Sequence, residues 1–331
     1  MRRLPGALVS VAGMAPTSAR RWAVAATTPW VVWAALRRTG GERGFPLVPA
    51  LSFTPYAAGT ALLPLAVAVR ARSRSATVLA AGAGAVLAGA VRSHRGRRPV
   101  GPPPAGRRLR IATVSLRRGL VPAGPVVELV RRHRIDLLAV QELTPVAEQR
   151  LLAAGLAELL PHAHVVPARP GSEPAASGAV WSRLPLGART VAPGGFEQPA
   201  VRLPGTPELE VVSVHTRPPA TSPAAVRGWT EDLAALPGPE PAVLRVLAGD
   251  FNATLDHAAL RAVLRRGYLD AARAVGRGNL RTWSPLRSPV PRLGLDHVLV
   301  DPRLAVAGCD VVPVAGSDHR SVVVDLVVPG G

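Results

Sequence analysis

This chain of 331 residues contains no lysine, so all 40 of its Lys and Arg positions are arginine. Alanine, glycine and proline are abundant beside arginine, and the missing lysine reads as genome composition rather than a functional signal. A single cysteine, Cys309, excludes an intrachain disulfide and a zinc centre built from several thiolates. Standing beside an apolar run, it reads as a small core residue. The lack of disulfides fits either side of a bacterial-type membrane and leaves the compartment open.

Acids are nearly missing from the amino-terminal third. Residues 1–100 hold 14 arginines and one acid, Glu42. Arg107, Arg108 and Arg110 follow directly. Residues 111–331 carry 23 arginines against 20 acids, so they account for only +3 of the formal charge of +19. The basicity lies outside the part that carries the chemistry. That weakens the case for a strongly basic groove tracking a polynucleotide backbone.

Three uncharged stretches, 22–36, 44–69 and 75–91, interrupt the arginines. A helix crossing the hydrocarbon needs roughly 20 apolar residues, so residues 1–100 are expected to form a membrane anchor. Its two or three transmembrane helices are placed at about 22–36, 47–69 and 75–91. Trp22, Trp30 and Trp33 suit a membrane boundary. A cleaved signal peptide fits poorly, because further apolar segments follow at once. With three spans the arginines divide seven against seven, and the positive-inside rule gives no orientation. Residues 101–108 form a Pro/Gly/Arg linker, and 109–331 a separate domain.

In that domain, apolar runs predict strands at 109–115, 135–142, 177–182, 209–215, 243–250, 295–300 and 321–328. Helices are expected at 125–134, 146–160, 223–236 and 256–265. The pattern is α/β, with two mixed sheets packed face to face and helices outside, a four-layer α/β sandwich. Several strands end in a polar residue of catalytic type: Gln141-Glu142, His215, Asp250-Phe251-Asn252, Asp296-His297 and Ser317-Asp318-His319. Strand ends of this kind describe a site on one rim of a sheet. Carboxylates suit a hard divalent cation, and histidines beside carboxylates suit proton transfer, so the set reads as metal-assisted hydrolysis of a phosphate ester. Taken singly, Glu142 also reads as a solvated cap, Asp250 and Asn252 as a turn pair, and His215 as a structural histidine.

The ordered fragments LRIATVS, VQE, VHTRPP, AGDFNAT, LDHVLV and GSDHRSVV resemble the endonuclease/exonuclease/phosphatase superfamily over residues 108–328. That superfamily includes deoxyribonucleases, abasic-site endonucleases, neutral sphingomyelinases and inositol polyphosphate 5-phosphatases. With TPYAA at 54–58, the chain resembles a membrane-anchored actinobacterial branch. The resemblance implies a carboxylate ligand for Mg²⁺ or Mn²⁺ at Glu142, with Asp318 close to the metal. It implies that Asp250 is the base for water and Asn252 the amide donor to the phosphoryl group. His319 is implied to bind the scissile phosphate, with Asp296 orienting it, and His215 is a second histidine. Ser115 stands where the family has asparagine, which shortens a metal-site ligand. His297 has no counterpart. Arg202 and Trp283 are candidate substrate contacts, since guanidinium matches phosphate and indole stacks on a base.

The expected function is a membrane-tethered, metal-dependent phosphoesterase acting on a phospholipid, nucleotide or nucleic acid. A catalytically weakened binding module of the same fold is the alternative, favoured by Ser115. The bilayer is the expected partner and no obligate protein partner is evident. The resemblance places the catalytic part outside the cell membrane.

Overall fold

The computed structural model describes residues 16–98, 100–101, 104–205, 207–286 and 289–329. Two compact units emerge, one within residues 1–41 and 53–91, the other within 42–52 and 92–331. The amino-terminal part carries α1 (Pro16–Thr39), α2 (Leu47–Leu51), α3 (Thr54–Thr60), α4 (Leu62–Arg70) and α5 (Arg74–His94). The 47–69 stretch, expected as one span, is thus divided among three short helices. Prolines account for the breaks: Pro46 caps α2, Pro55 opens α3 and Pro64 lies in the first turn of α4. Proline lacks the N–H that a continuing helix needs and clashes with the carbonyl four residues back.

Among the described helices, α5 alone is long and apolar enough to cross a membrane, with a mean hydropathy of 1.4 over its best window. The expected span at 22–36 lies inside α1, where arginine pairs at 20–21 and 37–38 flank it. In this helical unit most buried apolar side chains are alanines, among them Ala23, Ala34, Ala68, Ala76 and Ala80, with Leu87 the large exception. Large apolar side chains face outward instead: Trp22, Leu62, Leu63, Val69 and Val78 are all more than half exposed. Trp30 and Trp33 donate their indole N–H groups to Ala57 O (3.1 Å) and Thr54 Oγ1 (3.0 Å).

The second unit follows in the order β1 (Arg107–Ser115), α6 (Ala123–His133), β2 (Leu137–Gln141), α7 (Pro145–Ala153), α8 (Leu156–Leu159), β3 (His162–Val166) and β4 (Gly178–Ser182). Then come β5 (Arg189–Ala192), β6 (Gln198–Leu203), β7 (Glu208–His215), α9 (Pro223–Ala235), β8 (Val243–Asp250) and α10 (Ala258–Arg265). The last elements are β9 (Leu269–Asp270), α11 (Ala271–Ala274), β10 (Asp296–Val300), β11 (Ala305–Pro313) and β12 (Arg320–Val328). The helix expected over 146–160 is two helices, because Gly155 takes a left-handed φ of +88° between them.

Two six-stranded sheets result, ordered β11-β12-β1-β2-β4-β3 and β5-β6-β7-β8-β10-β9. Each holds one parallel pair, β1 with β2 and β7 with β8, among antiparallel neighbours. Inward-facing Ile111, Leu137 and Val324 of the first sheet meet Val211, Val246 and Val298 of the second in one core. The outer face of the first sheet packs on α6 to α8 through Val126, Val130 and Leu151. The outer face of the second packs on α9 and α10 through Trp229, Leu233 and Val263. Apolar residues are needed on both strand faces, which is why these strands read as unbroken apolar runs.

Residues 42–52 belong to this α/β unit. Val48 enters the core beside Trp229, Phe251 and Leu260. Its carbonyl accepts from His257 Nε2 at 2.9 Å, while His257 Nδ1 accepts from Thr254 N at 2.8 Å. The Glu42 carboxylate accepts the N–H of Ala258, and His94 pairs with Asp256 at 3.2 Å.

Candidate active site

Strand direction gathers the polar ends. Parallel β1 and β2 finish together at Ser115 and Gln141, and parallel β7 and β8 finish together at His215 and Asp250. Antiparallel β10 opens at Asp296 opposite Asp250, and β12 opens next to His319. Gln141 ties the sheets at this rim: its Oε1 accepts from Thr113 Oγ1 and its Nε2 donates to Ser213 Oγ, each at 2.9 Å.

At the rim Glu142 (φ +56°) and Asn252 (φ +45°) hold left-handed backbone, as do Arg117 and Arg118 in the adjoining loop. Non-glycine residues rarely adopt this region, and it recurs where a side chain must be aimed. The Glu142 carboxylate accepts from Ser115 Oγ (3.2 Å) and from the backbone N–H of Arg118. Burial raises its pKa against those hydrogen bonds. Asn252 is fixed by donating Nδ2 to Thr216 O (2.8 Å) and Asp250 Oδ2 (3.3 Å), and its backbone N–H to Asp250 Oδ1 (2.8 Å).

Glu142, Asp250 and His319 each present a ligand-type atom within 4.8 Å of the other two. His319 Nδ1 lies 2.9 Å from Asp296 Oδ2, and its Nε2 faces Asp250 Oδ2 at 3.7 Å. Burial alone would lower the His319 pKa, but the carboxylates of Asp296 and Asp250 outweigh it and hold the ring protonated. A protonated imidazole has no lone pair for a metal. The oxygens of Glu142 therefore suit a hard cation, and His319 suits an anion. Burial also raises the Asp250 pKa, which makes its carboxylate a stronger base when ionised.

Asp318 Oδ1 is buried without a hydrogen-bond partner among the described residues, and its Oδ2 accepts from Trp283 Nε1 at 3.3 Å. An orphaned carboxylate oxygen beside this cluster fits a cation ligand. His215 also reaches the rim, its ring tilted against Phe196 with centroids 4.6 Å apart. Burial, with the charge of His319, lowers its pKa to about 3 and keeps it neutral. Its Nδ1 is buried and has no partner among the described residues.

The rim thus brings together Ser115, Glu142, His215, Asp250, Asn252, Asp296, Asp318 and His319, with Trp283 alongside. Arg202 is not among them. It pairs with Glu210 and Glu208, both at 3.2 Å, near the start of β7. Five residues of strand separate Glu210 from His215, roughly 16 Å. His297 is structural: Nδ1 meets Asp270 Oδ2 at 2.8 Å and Nε2 meets Ala253 O at 2.9 Å. Sequence reasoning missed three supports, Thr282, Thr216 and Trp229, and named Ser317 without assigning it a role. Thr282 Oγ1 accepts the N–H groups of Leu295 and Asp296, and Ser317 Oγ bonds both Ser115 O and His319 N. Thr216 and Trp229 both donate to Phe251 O. Thr216 adjoins His215, and that adjacency was the available signal; Thr282 and Trp229 carried none.

Residues 112–319 match the Endonuclease/Exonuclease/phosphatase family. Among solved structures, a Beutenbergia cavernae endonuclease/exonuclease/phosphatase is similar with a TM-score of 0.54 and 22% identity, over 68% of this chain and 72% of that one. A humanized TDP2 of D. rerio is similar with a TM-score of 0.54 and 14% identity, over 67% of this chain and 99% of that one. D. rerio TDP2 complexed with a single-strand DNA product gives a TM-score of 0.53 at 14% identity, over 67% and 99%. These likenesses are of fold. Among curated proteins none matches the chain.

Proposed function

Because the chain belongs to the endonuclease/exonuclease/phosphatase family, we propose that it hydrolyses a phosphate ester with water at the rim around Glu142, Asp250 and His319. The observation that carries this reading is the approach of those three groups within 4.8 Å, one of them an imidazolium fixed by Asp296. Mg²⁺ or Mn²⁺ would be held by Glu142, with Asp318 and the Ser115 hydroxyl beside it, and would supply Lewis-acid stabilisation of phosphoryl charge.

The chain's own groups do the rest. Asp250 orients a water and accepts its proton at a carboxylate oxygen. Asn252 turns one Nδ2 hydrogen from Asp250, its longer bond at 3.3 Å, to a phosphoryl oxygen and keeps the other on Thr216 O. His319 donates Nε2–H to a second phosphoryl oxygen, held in line by Asp296. His215, neutral and with an unengaged Nδ1, faces the remaining oxygen or the leaving group.

A membrane tether is part of the reading. The helical unit buries alanines and exposes leucine and valine, the reverse of a water-soluble bundle and the arrangement expected in lipid. Helix α5 supports at least one crossing; a further crossing through α1 and an extracytoplasmic catalytic unit belong to the same proposal. The substrate is a phospholipid, nucleotide or nucleic acid ester.

The test is turnover by the full chain in detergent, with Mg²⁺ or Mn²⁺, across DNA, phospholipid and nucleotide esters. Asp250→Ala and His319→Ala are expected to lower turnover of the accepted ester by at least ~10²-fold. Unchanged turnover in both would overturn the assignment. Ser115 favours a second reading, a binding module. Metal binding with no turnover of any of the three ester classes would select it.

A further inference from the structure

Away from the catalytic rim, a groove of about 1220 Å³ is lined by Arg95, Gly96, Arg98, Gly101 and Pro104, the loop after α11 and the turn leading into β11. Four arginines border it: Arg95, Arg98, Arg277 and Arg303. Two are already neutralised. Arg303 forks onto Asp301 at 2.7 and 2.8 Å and donates to three carbonyls, and Arg277 bonds Asp310 and Cys309 O. Arg95 and Arg98 are exposed, and no carboxylate among the described residues forms an ion pair with either. Asp310 is the one acid lining the groove, and it is engaged by Arg277.

The segment that presents these two arginines is held rigidly. Gly278 N donates to Arg95 O at 3.2 Å, and a Cβ on Gly96 would fall 1.9 Å from Arg273 O. Apolar side chains share the lining, among them Leu269, Val275, Leu304 and Val306. Uncompensated cations in a groove that also has apolar lining suit an amphiphile better than a fully hydrated inorganic anion. Arg95 directly follows His94, the last residue of α5. If α5 crosses a bilayer, covalent continuity keeps this residue at the headgroup layer.

We propose that Arg95 and Arg98 bind the phosphate of an anionic phospholipid, whose glycerol-ester region lies against the apolar residues that share the groove's lining. The proposal rests on the membrane reading of α5 and is independent of catalysis. The experiment is native mass spectrometry of the full chain in an uncharged maltoside detergent with phosphatidylglycerol or phosphatidylcholine. Phosphatidylglycerol is expected to be retained roughly 30-fold more strongly, the scale for two arginines near a surface charge. That preference should vanish in the Arg95→Gln/Arg98→Gln double variant, whose exposed positions leave folding intact. Equal retention of both lipids, or a preference surviving in the double variant, overturns the site. Displacement of phosphatidylglycerol by an equal concentration of glycerol phosphate also overturns it, in favour of a soluble anion. Flotation of the full chain with phosphatidylcholine vesicles tests the membrane reading on its own. Failure to float overturns both, whereas flotation without lipid preference overturns the groove alone.

Discussion

Replacing His257 by leucine tests whether residues 42–52 are part of the α/β unit. The ring is fully buried, accepting from Thr254 N at Nδ1 and donating to Val48 O at Nε2. Burial keeps it neutral and lowers its pKa, so one nitrogen accepts while the other donates. Leucine fills a similar volume but leaves the Thr254 N–H and the Val48 carbonyl without partners, at about 1–3 kcal/mol each. The summed cost of about 2–6 kcal/mol corresponds to a melting shift of roughly 4–24 °C in a unit of this size. Scanning calorimetry of the full chain in detergent reads it. Glu42→Gln, which keeps an acceptor for Ala258 N–H, is expected to cost far less than Glu42→Ala. A shift below about 2 °C for His257→Leu would refute docking of the 42–52 segment, because a solvated segment would leave no orphaned group.

Further outcomes follow from other contacts. Arg202→Ala is expected to leave turnover unchanged, since its guanidinium serves Glu208 and Glu210 far from the rim; a loss of ~10-fold would return it to the substrate site. Ser115→Ala removes one hydroxyl bond to Glu142 and should weaken Mn²⁺ affinity by no more than about tenfold, with complete loss marking Ser115 as a direct ligand. For His297, burial lowers the pKa, but Asp270 and the Ala253 carbonyl outweigh it and raise it above the ordinary value. A raised histidine stabilises fully below about pH 6.5 and loses that contribution as pH climbs through the folded value. His297→Gln should therefore cost more stability near pH 6 than near pH 9, and an equal cost at both would contradict a charged ring.

Much of the α/β unit was legible because its central strands are buried on both faces. The runs at 243–250 and 209–215 coincide with β8 and β7 almost to the residue. Edge strands were not legible. The run of β5 is mostly exposed, and β11 is interrupted by a bulge between Val306 and Gly308, so neither shows a clean apolar period. The rim residues could be named because each lies next to an apolar run. Arg202 misled because guanidinium beside an apolar run looks the same whether it meets phosphate or Glu210. The fate of Val48 was hidden for a different reason. Apolar residues that enter a protein core and those that enter lipid have the same composition, and only the prolines at 46, 49, 55 and 64 hinted that 47–69 is not one helix.

The most direct test is a Mn²⁺ titration of the full chain, followed by the loss of the free-ion electron paramagnetic resonance signal. One site per chain is expected, weakened by at least ~10-fold in Glu142→Ala, the least that removal of a ligating carboxylate should cost. No binding at millimolar Mn²⁺, or binding indifferent to Glu142→Ala, would contradict a cation and an imidazolium meeting at one phosphate.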